Sequence, residues 1–211
     1  MREKREKIKE IILNHIKKNK NEYLLVTTIF IIGLLFGVML VNKLSDVSII
    51  EVKDYLNDYI LKIKEKNDIN IFDMVKSSIS RNGIIAVIIW FLGTTVIGIP
   101  IVLFIIAYRG FCFGYTISVI TRAIGIKNAI GFLIDTLLIQ NILFIPALIG
   151  LGVSGLKLYK KIIKRGEIDN IKVEVIRHTF FCFIMLIVFI LAAVLEIIIS
   201  FNLIRIFGNK I

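Results

Sequence analysis

Glu196 is the one acid in the apolar run 178–204, and few residues of this chain have a comparable claim to chemistry. An ionised carboxylate is costly inside lipid, so Glu196 must be neutral, paired or facing water. Its candidate partners are Arg122, at the end of a shorter uncharged run, and Asp135, Gln140 and Asn141, which open another. Two roles are open for such a cluster: an ion-pair lock between helices, or a substrate or proton site. The other reactive side chains argue against catalysis. Cys112 and Cys182 lie inside apolar runs and read as reduced packing residues. His15 and His178 have no ligand spacing, so no metal or cofactor is expected. No Ser/His/Asp set, HExxH motif or paired-carboxylate pocket is legible, and the chain is expected not to be an enzyme.

The elements that must position these residues are long apolar runs over 23–42, 82–108, 136–156 and 178–204. About 20 apolar residues at 1.5 Å rise cross the roughly 30 Å hydrocarbon layer. The chain is 57% hydrophobic with mean hydropathy +0.84, too little polar residue to cover a soluble domain. Its net charge of +11 sits between the runs, where it sets orientation and meets anionic lipid heads. With no zinc knuckle or glycine-rich phosphate loop beside it, that charge implies membrane lipids as partners and no nucleic acid.

Charge placement asks for a fifth crossing. The tail 1–22 carries Arg2, Lys4, Arg5, Lys7, Lys9, Lys17, Lys18 and Lys20. The connection 157–178 carries Lys157, Lys160, Lys161, Lys164, Arg165, Lys172 and Arg177. Both belong in the cytoplasm, and they share a side only if 110–126 also spans. The expectation is an all-α helical membrane bundle forming one domain over 1–211. Its spans are 22–42, 83–107, 110–126, 135–156 and 179–204, with the N-terminus inside and the C-terminus outside. The first span reads as a retained anchor. The segments 1–21 and 157–178 are cytoplasmic, and 43–82, which balances acids against bases, is extracytoplasmic.

Two segments outside the spans are amphipathic. In the tail, Ile8, Ile11, Ile12 and Ile16 recur at helical spacing among lysines, as in a helix lying on the inner leaflet. In the outer loop, Val52, Tyr55, Leu56, Tyr59, Ile60 and Ile63 form one face of a helix over 49–65. That face either lies on the outer leaflet or docks an extracytoplasmic partner. A second short helix over Phe72, Val75 and Ile79 leads into the next span.

Small residues mark close approaches within the membrane. Gly33 and Gly37, Gly110 and Gly114, and Gly150 and Ser154 are each four apart. Such pairs let helix backbones touch, within one chain or between two copies as a homodimer. Gly93-Thr-Thr-Val-Ile-Gly98-Ile-Pro100 predicts a kink or unwound stretch inside the span 83–107, its carbonyls met by Thr94 or Thr95. Pro146, following Gln140 and Asn141, predicts another bend.

Several of these motifs resemble one family. Trp90-Phe91-Leu92-Gly93 continuing to Ile97-Gly98-Ile99-Pro100 resembles the second span of stage II sporulation protein M. Arg109-Gly110-Phe111 with Gly114-Tyr115-Thr116 is similar to that family's basic-Gly-Phe…Gly-Phe-Thr step, with Tyr115 replacing a Phe. Gln140-Asn141-Ile142 and Ile145-Pro146-Ala147 are similar to its Pro-Gln-Asn-Leu…Ile-Pro-Ala segment, with Ile139 replacing the first proline. Leu195-Glu196 resembles the acidic position of the last span, without the neighbouring aromatic and proline. The resemblance covers about 20–205.

It implies a five-span protein of the engulfment machinery of endospore formation. Such a protein is a non-enzymatic scaffold in the septal or engulfing membrane of the mother cell. Its implied partners are peptidoglycan hydrolases, the stage II sporulation proteins D and P. The residues alone leave a rival reading open: a small transporter or lipid-handling permease with a polar site around Glu196, Gln140 and Asn141.

Overall fold

The computed structural model describes residues 6, 10, 13–65, 71–134, 137, 139–163 and 171–207, without the side chains of 59–60, 62–65, 71–74, 139–140 and 196–207. The described residues are helix and turn throughout. The helices are α1 (Lys20–Val41), α2 (Asp46–Glu65), α3 (Ile71–Gly93), α4 (Gly98–Ile124), α5 (Ile126–Leu133), α6 (Ile139–Ile163) and α7 (Ile171–Phe207). Five of them, α1, α3, α4, α6 and α7, are long and apolar enough to cross a membrane. Their outward faces carry large apolar side chains such as Phe36, Met39, Phe91 and Phe104. Water would not tolerate so continuous an apolar surface, whereas hydrocarbon does. The chain is a multi-pass membrane protein.

The number of spans matches the expectation, but two of the expected spans, 83–107 and 110–126, are redrawn. The break falls at 94–97, and α4 then runs unbroken through Tyr108, Arg109 and Gly110. The Gly-Thr-Thr…Pro motif is therefore a reverse turn between spans, not a bend within one. Thr94 and Thr95 donate their hydroxyls to the Phe91 and Leu92 carbonyls at 2.7 and 2.9 Å, satisfying orphan acceptors of α3. The Thr95 hydroxyl in turn accepts the Gly98 N–H at 3.0 Å. Pro100 lies in the first turn of α4, where its missing N–H leaves nothing unpaired. Gly98 packs on the Leu92 carbonyl so closely that a Cβ has no room.

Other boundaries also move. The last span, expected at 179–204, begins as helix at Ile171, with Lys172, Glu174 and Arg177 in its first two turns. The fourth, expected at 135–156, is α6 and continues through Pro146 to Ile163. The expected short helix over Phe72, Val75 and Ile79 is fused into α3. The expected helix 49–65 is α2 and starts at Asp46, where the Ser45 Oγ accepts the Ser48 N–H at 3.3 Å as an N-cap. At the end of α4 the chain turns through Gly125, whose φ of 79° a side chain would resist. In the tail, residues 13–18 are helical; Ile8, Ile11 and Ile12 lie outside the described residues.

α1 packs along α4, α6 along α7, and α3 against both α6 and α7. The α1–α4 contact is a glycine seam. A Cβ on Gly33 or Gly37 would run into the Ala107 or Phe111 carbonyl. One on Gly110 or Gly114 would run into the Phe30 or Leu34 carbonyl. The four glycines thus interlock within one chain, backbone on backbone. A buried cluster including Phe30, Ile89, Ile106, Leu148, Leu151 and Phe189 fills the centre. A second, including Val41, Ile49, Ile120 and Phe132, closes one end under α2 and α5.

Candidate functional site

The two ends of the bundle differ chemically. At one end α1 begins, α6 finishes and α7 begins. There Lys160 pairs with Glu22 at 2.7 Å, and Glu174 pairs with Lys161 and, at 2.8 Å, Arg177. Lys157 lies among Lys18, Lys161, Glu174 and Arg177. His15 joins the tail to this end, within 3.3 Å of the Tyr23 hydroxyl through Nδ1 and stacked on Phe181. Burial first, and then the Lys157 ammonium, lower the pKa of His15 below its ordinary value. Deeper in, the Ser154 hydroxyl and His178 Nδ1 meet at 2.8 Å, linking α6 to α7. Gly93 and Gly155 come together beside that pair, and Trp90 Nε1 donates to the Thr179 hydroxyl at 3.1 Å. Gly150 packs near Phe181 instead of against another backbone.

At the opposite end Arg122 holds a corner. Its guanidinium donates to the Val41 carbonyl at 2.8 Å, the Leu44 carbonyl at 3.1 Å and the Asp46 carboxylate at 2.9 Å. These groups close α1 and open α2, so the cation meets the negative end of one helix dipole and caps the loop to the next. α2 then lies across α4, with Ile49, Val52 and Leu56 turned into the end cluster. Val52 and Leu56, expected on a partner surface, are thus half-buried within the chain, because the apolar face of an amphipathic helix has a bundle end to cover. Tyr55 is 71% exposed, and Val47, Ile50 and Leu61 are exposed as well. Glu51, Asp54 and Asp58 lie exposed among them. The side chains of Tyr59, Ile60 and Ile63 fall outside the described residues.

Between these ends lies a charged group that sequence reasoning missed. Once α4 is continuous, Arg109 stands eleven residues into it, about 16 Å from its start at 1.5 Å per residue and near mid-membrane. A guanidinium at such a depth costs about 2.5–3.5 kcal/mol on insertion scales and cannot shed its proton. It lies 5.2 Å from the Phe144 ring centroid, a cation–π contact. It also lines a cavity of ≈ 170 Å³ with Asn82, Cys112, Thr116 and Asn141. Thr116 donates to the Cys112 carbonyl at 2.8 Å and Asn141 to the Leu137 carbonyl at 2.7 Å. The signal that finds this site is Thr-Thr three to four residues before a Gly-x-Pro: read as a turn, it carries the helix through Arg109.

Of the expected polar cluster, then, Arg122 is engaged at the α1–α2 corner, whereas Asn141 lines the Arg109 cavity. Asp135 and the side chains of Gln140 and Glu196 lie outside the described residues. Cys112 and Cys182 are both free thiols, half-buried and buried.

The model of a family described as Stage II sporulation protein M matches residues 26–201. No curated protein and no solved structure matches the chain.

Proposed function

The chain belongs to the stage II sporulation protein M family, membership that suggests a role in sporulation, and on that footing we propose that it is a non-enzymatic membrane scaffold. It holds peptidoglycan hydrolases, in this reading the stage II sporulation proteins D and P, at the septal or engulfing membrane of the mother cell. Its basic end faces the cytoplasm, as the excess of Lys and Arg there favours, and α2 faces the cell wall.

The observation that carries the reading is the disposition of α2. One face is used within the chain, and Arg122 fixes the helix in place. The other face presents Val47, Ile50, Tyr55 and Leu61, flanked by Glu51, Asp54 and Asp58, beyond the membrane spans. A helix fixed at a bundle end, presenting an aromatic residue and aliphatic side chains interleaved with acids, offers a mixed surface for docking a protein. Its counterpart is a patch combining apolar and basic groups.

The test is an affinity pull-down of the tagged full-length chain from sporulating membranes, with the eluate assayed for peptidoglycan hydrolysis. Wild type should carry hydrolase activity. Ile50→Asp with Tyr55→Asp should lose it while inserting normally. Undiminished activity with the double variant would remove α2 as the docking surface, and an inactive wild-type eluate would remove the scaffold.

A further inference from the structure

Among the described residues no carboxylate answers Arg109. Its charged neighbour is Arg81, of the same sign, and no ion pair to it forms among the described residues. The Phe144 face offsets part of the charge but supplies no hydrogen-bond acceptor. Five guanidinium N–H donors therefore border a cavity in the membrane interior, where water cannot freely compensate them.

The rest of the cavity wall suits an anion. Asn82 is only 6% exposed and lines the cavity, with an amide that can donate. Asn141 uses one amide N–H on Leu137, leaving a second to donate. Cys112 is half-buried there and adds no fixed charge. Among the described residues, donors thus converge without a competing negative group. At ≈ 170 Å³ the space holds about five waters of roughly 30 Å³ each, enough for a phosphate and its first substituent atoms. Apart from Thr116 the remaining wall, Phe30, Phe113 and Ile145 among it, is apolar and fits the chain that such a phosphate would carry.

We propose that the Arg109 cavity binds the phosphate of an anionic membrane lipid, held by the guanidinium with the Asn82 and Asn141 amides. Guanidinium and phosphate match in geometry, and their pairing is strengthened by the low dielectric around them. The lipid's tail leaves the cavity along its apolar wall. Inorganic phosphate shares the recognition chemistry, but it lacks the apolar part that the wall accommodates.

Cys112 is the built-in reporter. The full-length chain is reconstituted in phosphatidylcholine vesicles, in phosphatidylglycerol vesicles, and in phosphatidylcholine vesicles with inorganic phosphate. Alkylation by neutral N-ethylmaleimide is followed by intact mass, with buried Cys182 as the internal reference. Occupancy of about nine-tenths slows labelling about tenfold. That slowing is expected in phosphatidylglycerol, and Arg109→Gln should abolish it. Asn82→Ala should weaken it, and this variant keeps the test decisive if Arg109→Gln fails to insert. Equal protection by inorganic phosphate overturns the assignment to a lipid. Equal rates in all three preparations, or protection that survives both substitutions, overturn the site.

Discussion

Replacing the glycines of the α1–α4 seam by alanine tests the packing most directly. At Gly110 or Gly114 the new methyl falls on the Phe30 or Leu34 carbonyl, and at Gly33 or Gly37 on that of Ala107 or Phe111. These neighbours are backbone, so no rotamer change relieves the overlap and α1 must move off α4. Overpacking of that kind costs about 1–3 kcal/mol, against a helix-propensity gain of at most about 1 kcal/mol. Each net kcal/mol lowers Tm by about 2–4 °C in a chain of this length. One outward shift of α1 relieves all four positions. Gly110→Ala with Gly114→Ala should therefore cost clearly less than the sum of the two singles, a coupling expected of sites sharing one displacement. Gly131→Ala is the control of opposite sign. A methyl there would meet nothing within 4 Å, the residue sits in α5, and the substitution should leave Tm unchanged or raise it slightly. The assay is thermal unfolding in mild detergent, read by a thiol-reactive dye as buried Cys182 becomes accessible. Wild-type Tm for both seam singles, or strict additivity of the pair, would refute the interlocked seam.

Other perturbations have equally defined outcomes. Arg122→Gln should release α2, because it removes the donor to the Val41 and Leu44 carbonyls; limited proteolysis within 46–65 should accelerate severalfold. Asp46→Asn should cost under about 1 kcal/mol, since that carboxylate is 93% exposed and such ion pairs contribute little. For His15 the lowered pKa means that the docked tail favours the neutral ring. The undocked tail takes up its proton near the ordinary value of about 6.5, so docking is fully present above that pH and is lost as pH falls through the lower, docked value. Protease sensitivity of the tail should therefore rise on acidification, and His15→Phe, which keeps the stack on Phe181, should flatten that dependence.

How much of this was legible in the sequence depends on what each residue must satisfy. Apolar length is fixed by bilayer thickness, so the number of spans was readable from 23–42, 82–108, 136–156 and 178–204 plus the charge argument for one more. The position of the break was not. Gly, Thr and Pro serve a mid-span kink and an inter-span turn equally well, because in both the threonine hydroxyls meet freed carbonyls. That ambiguity hid Arg109, which reads as a loop residue if a span ends at Tyr108. The spacing of Gly33 with Gly37 and of Gly110 with Gly114 announced close packing but not a partner, since each pair fits any smooth helix face. Val52 and Leu56 were visible as an apolar face, whereas the surface they cover exists only after α4 and α5 are in place. The outward face of α2 is mixed in polarity, and hydrophobic periodicity gives such a face no signal.

The glycine seam also has a mechanical meaning. Where backbones touch directly, no layer of side chains remains to be compressed or to slip between rotamers. α1 and α4 therefore behave as one stiff rod, and Arg122 ties α2 to both members of it at once. A pull on α2 from outside the spans passes through that joint into the paired helices. It travels along α1 to the far end, where His15 and Tyr23 receive it beside Lys157 and Phe181. The fold thus provides a short load path between the surface proposed to hold a partner and the basic tail on the other side.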